Sequence, residues 1–490
     1  MNSLVHIPSK QKVLVMVAVI LSMFLSALDQ TIVSTALPTI VTEFNSLEHL
    51  SWVVTAYMLA STIAVPIYGK LSDMYGRKGF YLASIVIFLV GSALCGVAQN
   101  MTQLIIFRAI QGIGGGSLMT NSFAIIADLF TIKERARWQG LMGGVFGLSS
   151  VFGPILGGFF VDNLSWRWIF YINMPIGAMA LLGVIFLLPR IVPSAKEKGM
   201  DFFGALYLAM GLIPLLLALS WGGQQYAWNS VEIILMFMFA AMALTFFVCV
   251  ETLVKNPILP MELFKKRVFS LTIFLTFLNA LGMFGVLSYI PLFAQKVVGV
   301  SATNSGTIMF PMMFGMIAAS VISGQIVAKT QAYKVVVNIS FIIIMIAMFF
   351  LSQMDANTDQ MGLTWRMVII GMGLGTSMPI FNIILQNTFS RSKIGVVTAS
   401  AQLFRSVGGS VGVAMAGAVF NSVMTKEADI ASAIAEMFHL GFYFMIGAFV
   451  ISLFLPKIHL KDQEDTLTDV GIDIALEEGQ FAASHEPKMK

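Results

Sequence analysis

The sequence predicts an all-α, polytopic membrane protein with fourteen spans. Three observations predict it. Hydrophobic residues make up 57% of the 490-residue chain and charged residues 11%, about half the usual charged share. Continuous apolar runs of about 20 residues recur from end to end, where a β-barrel would show ~10-residue alternating segments. Lysines and arginines cluster in alternate gaps between those runs. With a mean hydropathy of +0.85, a soluble chain would expose large apolar patches. Ordinary soluble enzymes, disordered chains and nucleic-acid binders are thereby excluded.

Taken in order, six segments cover 13–36, 50–69, 80–98, 102–128, 139–161 and 169–189. A pair follows at 202–221 and 231–252. Six more cover 268–294, 303–328, 334–352, 363–386, 394–421 and 437–456. With a cytoplasmic N-terminus, the inner gaps hold 23 basic residues and the outer gaps four, namely Arg167, Lys296, Arg366 and Lys426. Dropping any one segment would scramble this alternation, so the count and a topology with both termini inside support each other. The chain also repeats. At an offset of 255, Gly69 meets Gly324, Gly116 meets Gly371, Gly140 meets Gly395, Gly153 meets Gly408 and Gly157 meets Gly412. Five of eighteen first-half glycines match, where chance gives about one or two. The expected organisation is a cytoplasmic N-terminus (1–12) and a six-helix half (13–189). A linker follows with two extra helices and a basic interfacial segment (190–267), then a second six-helix half (268–456) and an acidic, disordered cytoplasmic tail (457–490).

Few span residues carry chemistry. Cys95 and Cys249 lie in apolar runs and the five histidines form no cluster, so neither a disulfide nor a metal site is expected. The first apolar stretch is too long for a cleavable signal and contains an acid. No G-x-x-x-x-G-K-[ST] loop and no Ser/His/Asp constellation occurs, so the chain does not read as an ATPase or another enzyme. Asp29 is the one acid well inside a span, about seventeen residues or ~25 Å along the first segment and so toward its outer half. Arg108 and Arg405 are the intramembrane bases. Each should face a partner or a cavity, because such a charge costs at least ~2.5 kcal/mol at a span centre. Burial disfavours a charged carboxylate and a nearby arginine favours it. An acid balanced in this way can load and release a proton, and it can also attract a cation.

Further residues are candidates by position. Gly143/Gly147 and Gly153/Gly157 are G-x-x-x-G pairs suited to close helix packing, and Pro154 can bend its helix. Met309, Met312, Met313 and Met316 form one helical stripe, fit either for an adaptable apolar pocket or for lipid-facing or interhelix packing. Gln30, Asn279, Tyr289, Asn382, Gln386, Gln402 and Arg405 are candidate liners of a polar substrate cavity.

Several stretches carry a resemblance. Gly69-Lys70-Leu71-Ser72-Asp73-Met74-Tyr75-Gly76-Arg77-Lys78 resembles the G-x-L-[AS]-D-x-x-G-R-[KR] signature of major facilitator transporters. Arg108-Ala109-Ile110-Gln111-Gly112 resembles the R-x-x-Q-G motif of proton-linked facilitators. Gly147, Gly153-Pro154, Gly157 and Gly158 resemble the pattern characteristic of antiporters. Leu28-Asp29-Gln30-Thr31-Ile32-Val33 with Ala36-Leu37-Pro38, and Trp166-Arg167-Trp168 with Ile172-Asn173 and Pro175, resemble markers of the fourteen-helix drug:proton antiporters. The second of these is also, physically, an aromatic interface anchor.

The resemblance implies two parallel six-helix halves with a two-helix central insert. It implies a proton-coupled antiporter exporting amphipathic, often cationic drugs across a cell membrane, in bacteria. The same motifs fit an exporter of one lipid, siderophore, antibiotic or amino acid. The coupling ion is the proton, with no other cofactor, and the expected partners are small-molecule drugs, protons and membrane lipid, around a monomer. Asp29 is the expected coupling residue, tuned by Arg108. Asp73 is expected to cap a helix N-terminus of the opposite half, and Arg77 to pair with Asp128, with Gly69 and Gly76 shaping the turn. Together they form a latch on the outward-open state. The second-half equivalent, 324–334, has Ala328 in place of the acid, so the latch is expected to be one-sided.

Overall fold

The computed structural model describes residues 8–46, 50–189, 199–300, 302–427 and 429–456. The first seven residues, the start of the expected linker (190–198) and the acidic tail (457–490) lie outside the described residues. Fourteen helices of fifteen or more residues follow one another: α1 (Ser9–Phe44), α2 (Leu50–Tyr75), α3 (Arg77–Gly96), α4 (Met101–Leu129), α5 (Ile132–Asn163), α6 (Asn173–Leu187), α7 (Phe202–Trp221), α8 (Val231–Leu253), α9 (Arg267–Lys296), α10 (Ala302–Thr330), α11 (Tyr333–Ser352), α12 (Gln360–Thr388), α13 (Ile394–Glu427) and α14 (Ile430–Leu453). Short helical turns, Trp168–Tyr171 and Glu262–Lys265, precede α6 and α9.

The main departure from the sequence reading is α1. Its segment was expected to end at residue 36, before Pro38, yet the helix continues to Phe44 and closes on Asn45 in the left-handed conformation. The far turn is held by tertiary bonds. Glu43 accepts from Trp166 Nε1 (2.6 Å) and pairs with Arg167 (2.8 Å). Trp166 is itself buried against Phe44 and Phe170. It is therefore an interior staple; of the two tryptophans of the expected interface anchor only Trp168 is exposed.

Among the described residues, thirteen helices are long and apolar enough to cross a membrane, and α4 is not among them. Its 29 residues suffice in length, but Arg108, Gln111, Thr120, Asn121, Asp128 and four glycines dilute its hydropathy. The reason is its place. Every α4 residue from Gly114 to Leu129 is buried, so this stretch is enclosed by protein and the central cavity and needs no lipid-compatible surface, whereas Ile106 and Ile113 in the first half of the helix are exposed.

The two halves pack by the same plan. In the first, α4 packs on α2 and α3, α1 on α5, and α6 on α1 and α3; in the second, α12 packs on α10 and α11, α9 on α13, and α14 on α9 and α11. The matched glycines sit at equivalent seams. Gly153 and Gly157 abut α1, and their repeat partners Gly408 and Gly412 abut α9. Between the halves, α5 meets α10 and α2 meets α13, the same contact seen from either side of the repeat. The insert pairs α7 with α8 and lays α7 along the α2–α13 seam. The chain thus has the all-α, two-half plan with a two-helix insert that its sequence predicts.

Candidate functional site

At the end of the molecule that carries the α2–α3, α4–α5 and α12–α13 turns, the halves are tied together. Gly76 adopts φ 101° between α2 and α3, a conformation glycine takes without strain. That turn brings Arg77 back beside Asp73, with which it pairs. Arg77 Nε also donates to Asp128 Oδ2 at the end of α4 (2.9 Å). Asp73 then reaches across the molecule. Its carboxylate accepts the backbone N–H groups of Gly395 (3.1 Å) and Val396 (3.0 Å) at the start of α13. A carboxylate there satisfies orphan donors and meets the positive end of the helix dipole. Close approach requires glycine on both sides: a Cβ on Gly69 would lie 2.5 Å from Ala399 Cβ, and one on Gly395 2.6 Å from Asp73.

The equivalent helix start in the first half, that of α5, is capped from within. Thr131 donates its backbone N–H to Glu134 of the same helix (3.0 Å). Nearby, Gln139 of α5 donates to Gln386 of α12 (3.0 Å), and Gln386 donates to Phe123 O of α4 (3.4 Å).

Toward the other end, Asp29 of α1 is completely buried. Its Oδ2 accepts from Arg108 of α4 at 2.5 Å, and its Oδ1 accepts from Gln111 Nε2 at 2.8 Å. Asn173, at the start of α6, donates to the same oxygen at 3.5 Å and to Ser92 at 2.8 Å. Arg108 donates further to Val53 O (3.1 Å) and Gln111 Oε1 (2.7 Å). Its guanidinium lies 4.4 Å from the centre of the Tyr57 ring, a cation–π distance. A buried ion pair so fully bonded is stable only as a unit, because removal of either charge strands the other. Sequence reasoning missed Tyr57, Ser92 and Asn173 as members of this shell. Gln111 was visible as part of a motif, and its place three residues after Arg108 puts both on one helix face.

Between the halves lies a cavity of about 490 Å³, within the range of small-molecule sites. It is bounded by α1, α2, α4, α5, the insert helix α7, and α9, α10, α12 and α13. Of the expected liners, Gln30, Tyr289, Met316, Asn382, Gln402 and Arg405 do line it, and so does Arg108, expected as the tuner of Asp29. The rest of the methionine stripe does not. Met309, Met312 and Met313 are buried in the second-half core, and Met313 packs on Gly147 of α5. These three face neighbouring helices, not the cavity. Asn279 is likewise withdrawn, bonded to Ser377 (2.7 Å), and Gln386 is occupied at the interhalf seam. The cavity's own thioethers come from several helices and include Met23, Met119, Met142, Met283 and Met378.

Asp29 itself is absent from the cavity wall, which Arg108 and Tyr57 form in front of it. The glycine pairs of α5 face two ways: Gly147 packs on α10, whereas Gly153 and Gly157 pack on Thr31 and Thr35 of α1. Pro154 lies in the second stretch, and Gly158 has open space where a Cβ would point. Among the described residues, no group of three or more His, Cys, Asp or Glu is placed to hold a metal.

Comparison with known proteins agrees with this architecture. The multidrug transporter MdtP of Bacillus subtilis (strain 168) is 46% identical over 419 residues, covering 84% of this chain and 76% of its own. Multidrug resistance protein 3 of the same organism is 42% identical over 415 residues, covering 84% and 80%. The crystal structure of the human organic anion transporter MFSD10 (TETRAN) matches with a TM-score of 0.68 at 16% identity, over 91% of this chain and 100% of that one. The proton:xylose symporter XylE matches with a TM-score of 0.62 at 16% identity, over 93% and 98%. These two likenesses show the fold. A family model described as Major Facilitator Superfamily matches residues 19–413, which takes in the latch, the buried ion pair and most of both halves: the chain belongs to the major facilitator superfamily.

Proposed function

We propose that this chain is a proton-coupled antiporter that exports amphipathic drugs by alternating access. The observation that carries the reading is the sealed Asp29–Arg108 pair immediately behind the wall of the interhalf cavity. Relatives named as multidrug transporters support drug export. Asp29 is the proton site and the drug stays in the cavity, so the two cargoes act on each other through Arg108 and Tyr57. Protonation of Asp29 removes the partner of a buried guanidinium, and this change in charge balance favours one orientation of the halves over the other. The latch end is cytoplasmic, in keeping with the excess of basic residues there. The structure then corresponds to a state closed toward the cytoplasm, with the protein in the cell membrane and both termini inside.

The test is drug-dependent proton movement in vesicles reconstituted with wild type or with Asp29→Asn. Wild type should move protons on drug addition. The variant should insert normally and lose both proton movement and pH-driven efflux by at least about tenfold. Undiminished drug resistance in cells carrying Asp29→Asn would overturn the mechanism. A broad efflux panel reports breadth, and resistance to a single compound would mean a narrow-substrate exporter.

A further inference from the structure

The second intramembrane base, Arg405, differs from Arg108 in one respect that bears on cargo. It lines the central cavity from α13 and is nine-tenths buried. Its guanidinium donates to Gln402 Oε1 of its own helix at 3.1 Å. Among the described residues, no carboxylate lies within ion-pairing distance of it. Nor does any aspartate or glutamate appear among the described residues of the cavity wall.

The second half cannot readily supply a counter-charge. Its acids between 268 and 456 are Asp355, Asp359, Glu427, Asp429 and Glu436, all around the α11–α12 and α13–α14 turns. Arg405 lies 22 residues before Glu427 on α13, about 33 Å along a helix. The cavity therefore holds two guanidiniums, of which one is matched by Asp29 and one is not.

An unmatched arginine in a secluded chamber is costly unless something transient neutralises it. We propose that this transient group is the cargo's own acidic function: Arg405 anchors it, and the chain exports amphipathic organic anions. The planar guanidinium fork fits carboxylates, sulfonates and phosphates alike, with two parallel N–H donors per oxyanion. Asn382, Gln402, Ser406 and Ser410 supply neutral hydrogen-bonding groups in the same chamber. The apolar body of the cargo meets Phe123, Phe284 and the flexible thioethers, which adapt to varied shapes. A cationic drug would meet a net positive chamber with no carboxylate to receive it. The expectation of cationic drugs came from the family resemblance and from a carboxylate, Asp29, able to attract a cation, and Asp29 does not line the cavity.

This assignment rests on the cavity being the drug chamber of an exporter. The experiment compares two xanthene dyes of similar size, fluorescein as the anion and rhodamine 6G as the cation, binding to purified full-length protein by fluorescence polarisation. Wild type should bind fluorescein at least about tenfold more tightly than rhodamine 6G, the scale of one charge-assisted contact. Arg405→Gln should abolish that preference, and Arg405→Lys should keep part of it. Thermal unfolding checks that the variants are folded; if Arg405→Gln is not, the wild-type preference and the Lys variant decide. A wild-type preference for rhodamine 6G, or fluorescein affinity within twofold of wild type in folded Arg405→Gln, overturns the proposal. The two readings fail separately. Fluorescein binding without pH-driven dye movement in vesicles would remove the export reading and leave Arg405 as an anion site. Proton-linked export of rhodamine 6G without fluorescein affinity would do the reverse.

Discussion

At the scale of single residues, the site is governed by how a buried charge is matched. Arg108 and Asp29 are 1% and 0% exposed, and each is the other's main counter-charge. Arg108→Ala leaves a charged carboxylate in the interior and should destabilise the protein by about 3–5 kcal/mol. The double variant Asp29→Asn with Arg108→Gln removes both charges and should recover most of that loss without recovering transport. Thermal unfolding in detergent measures the first effect and vesicle transport the second. A double variant as unstable as Arg108→Ala would mean that the pair's stabilising role is misassigned. Asp29 and Arg108 were legible from the sequence because charges are scarce in the spans. Tyr57, Ser92 and Asn173 were not, because a tyrosine, a serine and an asparagine are ordinary residues until packing turns them toward a carboxylate.

At the scale of elements, α5 is held between two others. Its Gly147 lies on α10 of the opposite half, while Gly153 and Gly157 lie on α1, the helix that carries Asp29. A Cβ on Gly157 would come within 2.1 Å of Thr35 Oγ1 and 2.9 Å of Ile32 O, whereas a Cβ on neighbouring Gly158 meets nothing within 4 Å. Gly157→Ala should therefore force α1 from α5 and cost about 1–3 kcal/mol, as overpacking does. Gly158→Ala should be neutral or slightly stabilising through helix propensity. Unfolding temperatures of the two variants check this, and equal effects would show that the close α1–α5 seam is not a constraint. The spacing announced tight packing in advance. It did not announce the partners, since a G-x-x-x-G pair marks a face of one helix and carries no information about the helix opposite.

For the whole molecule, Asp73 ties the two halves at one end, and in the proposed alternating-access scheme that contact closes the cytoplasmic end of the cavity. Asp73 is the side chain from one half that bonds the helix start of the other, and the corresponding helix, α5, is capped by its own Glu134. Asp73→Asn weakens that cap by about 1 kcal/mol, enough for a roughly fivefold shift between orientations. With both native cysteines replaced, a cysteine at Ser410 reports on this through labelling by a membrane-impermeant maleimide from the end opposite the latch. Labelling should slow several-fold in Asp73→Asn, and an unchanged rate would sink the latch. The sequence by itself determined the class, the number of spans, the repeat and the motifs, because hydropathy, charge alternation and local spacing are properties of the chain read in one dimension. Only the tertiary structure decided that Asp29 is sealed behind Arg108 and that Met309, Met312 and Met313 of the methionine stripe are core. It also decided that the Gly114–Leu129 stretch of α4 is interior and that Arg405 faces a chamber with no acid among the described residues of its wall. Those outcomes depend on the rotation and depth at which each helix docks, which the close glycine seams and the interhelical bonds set together.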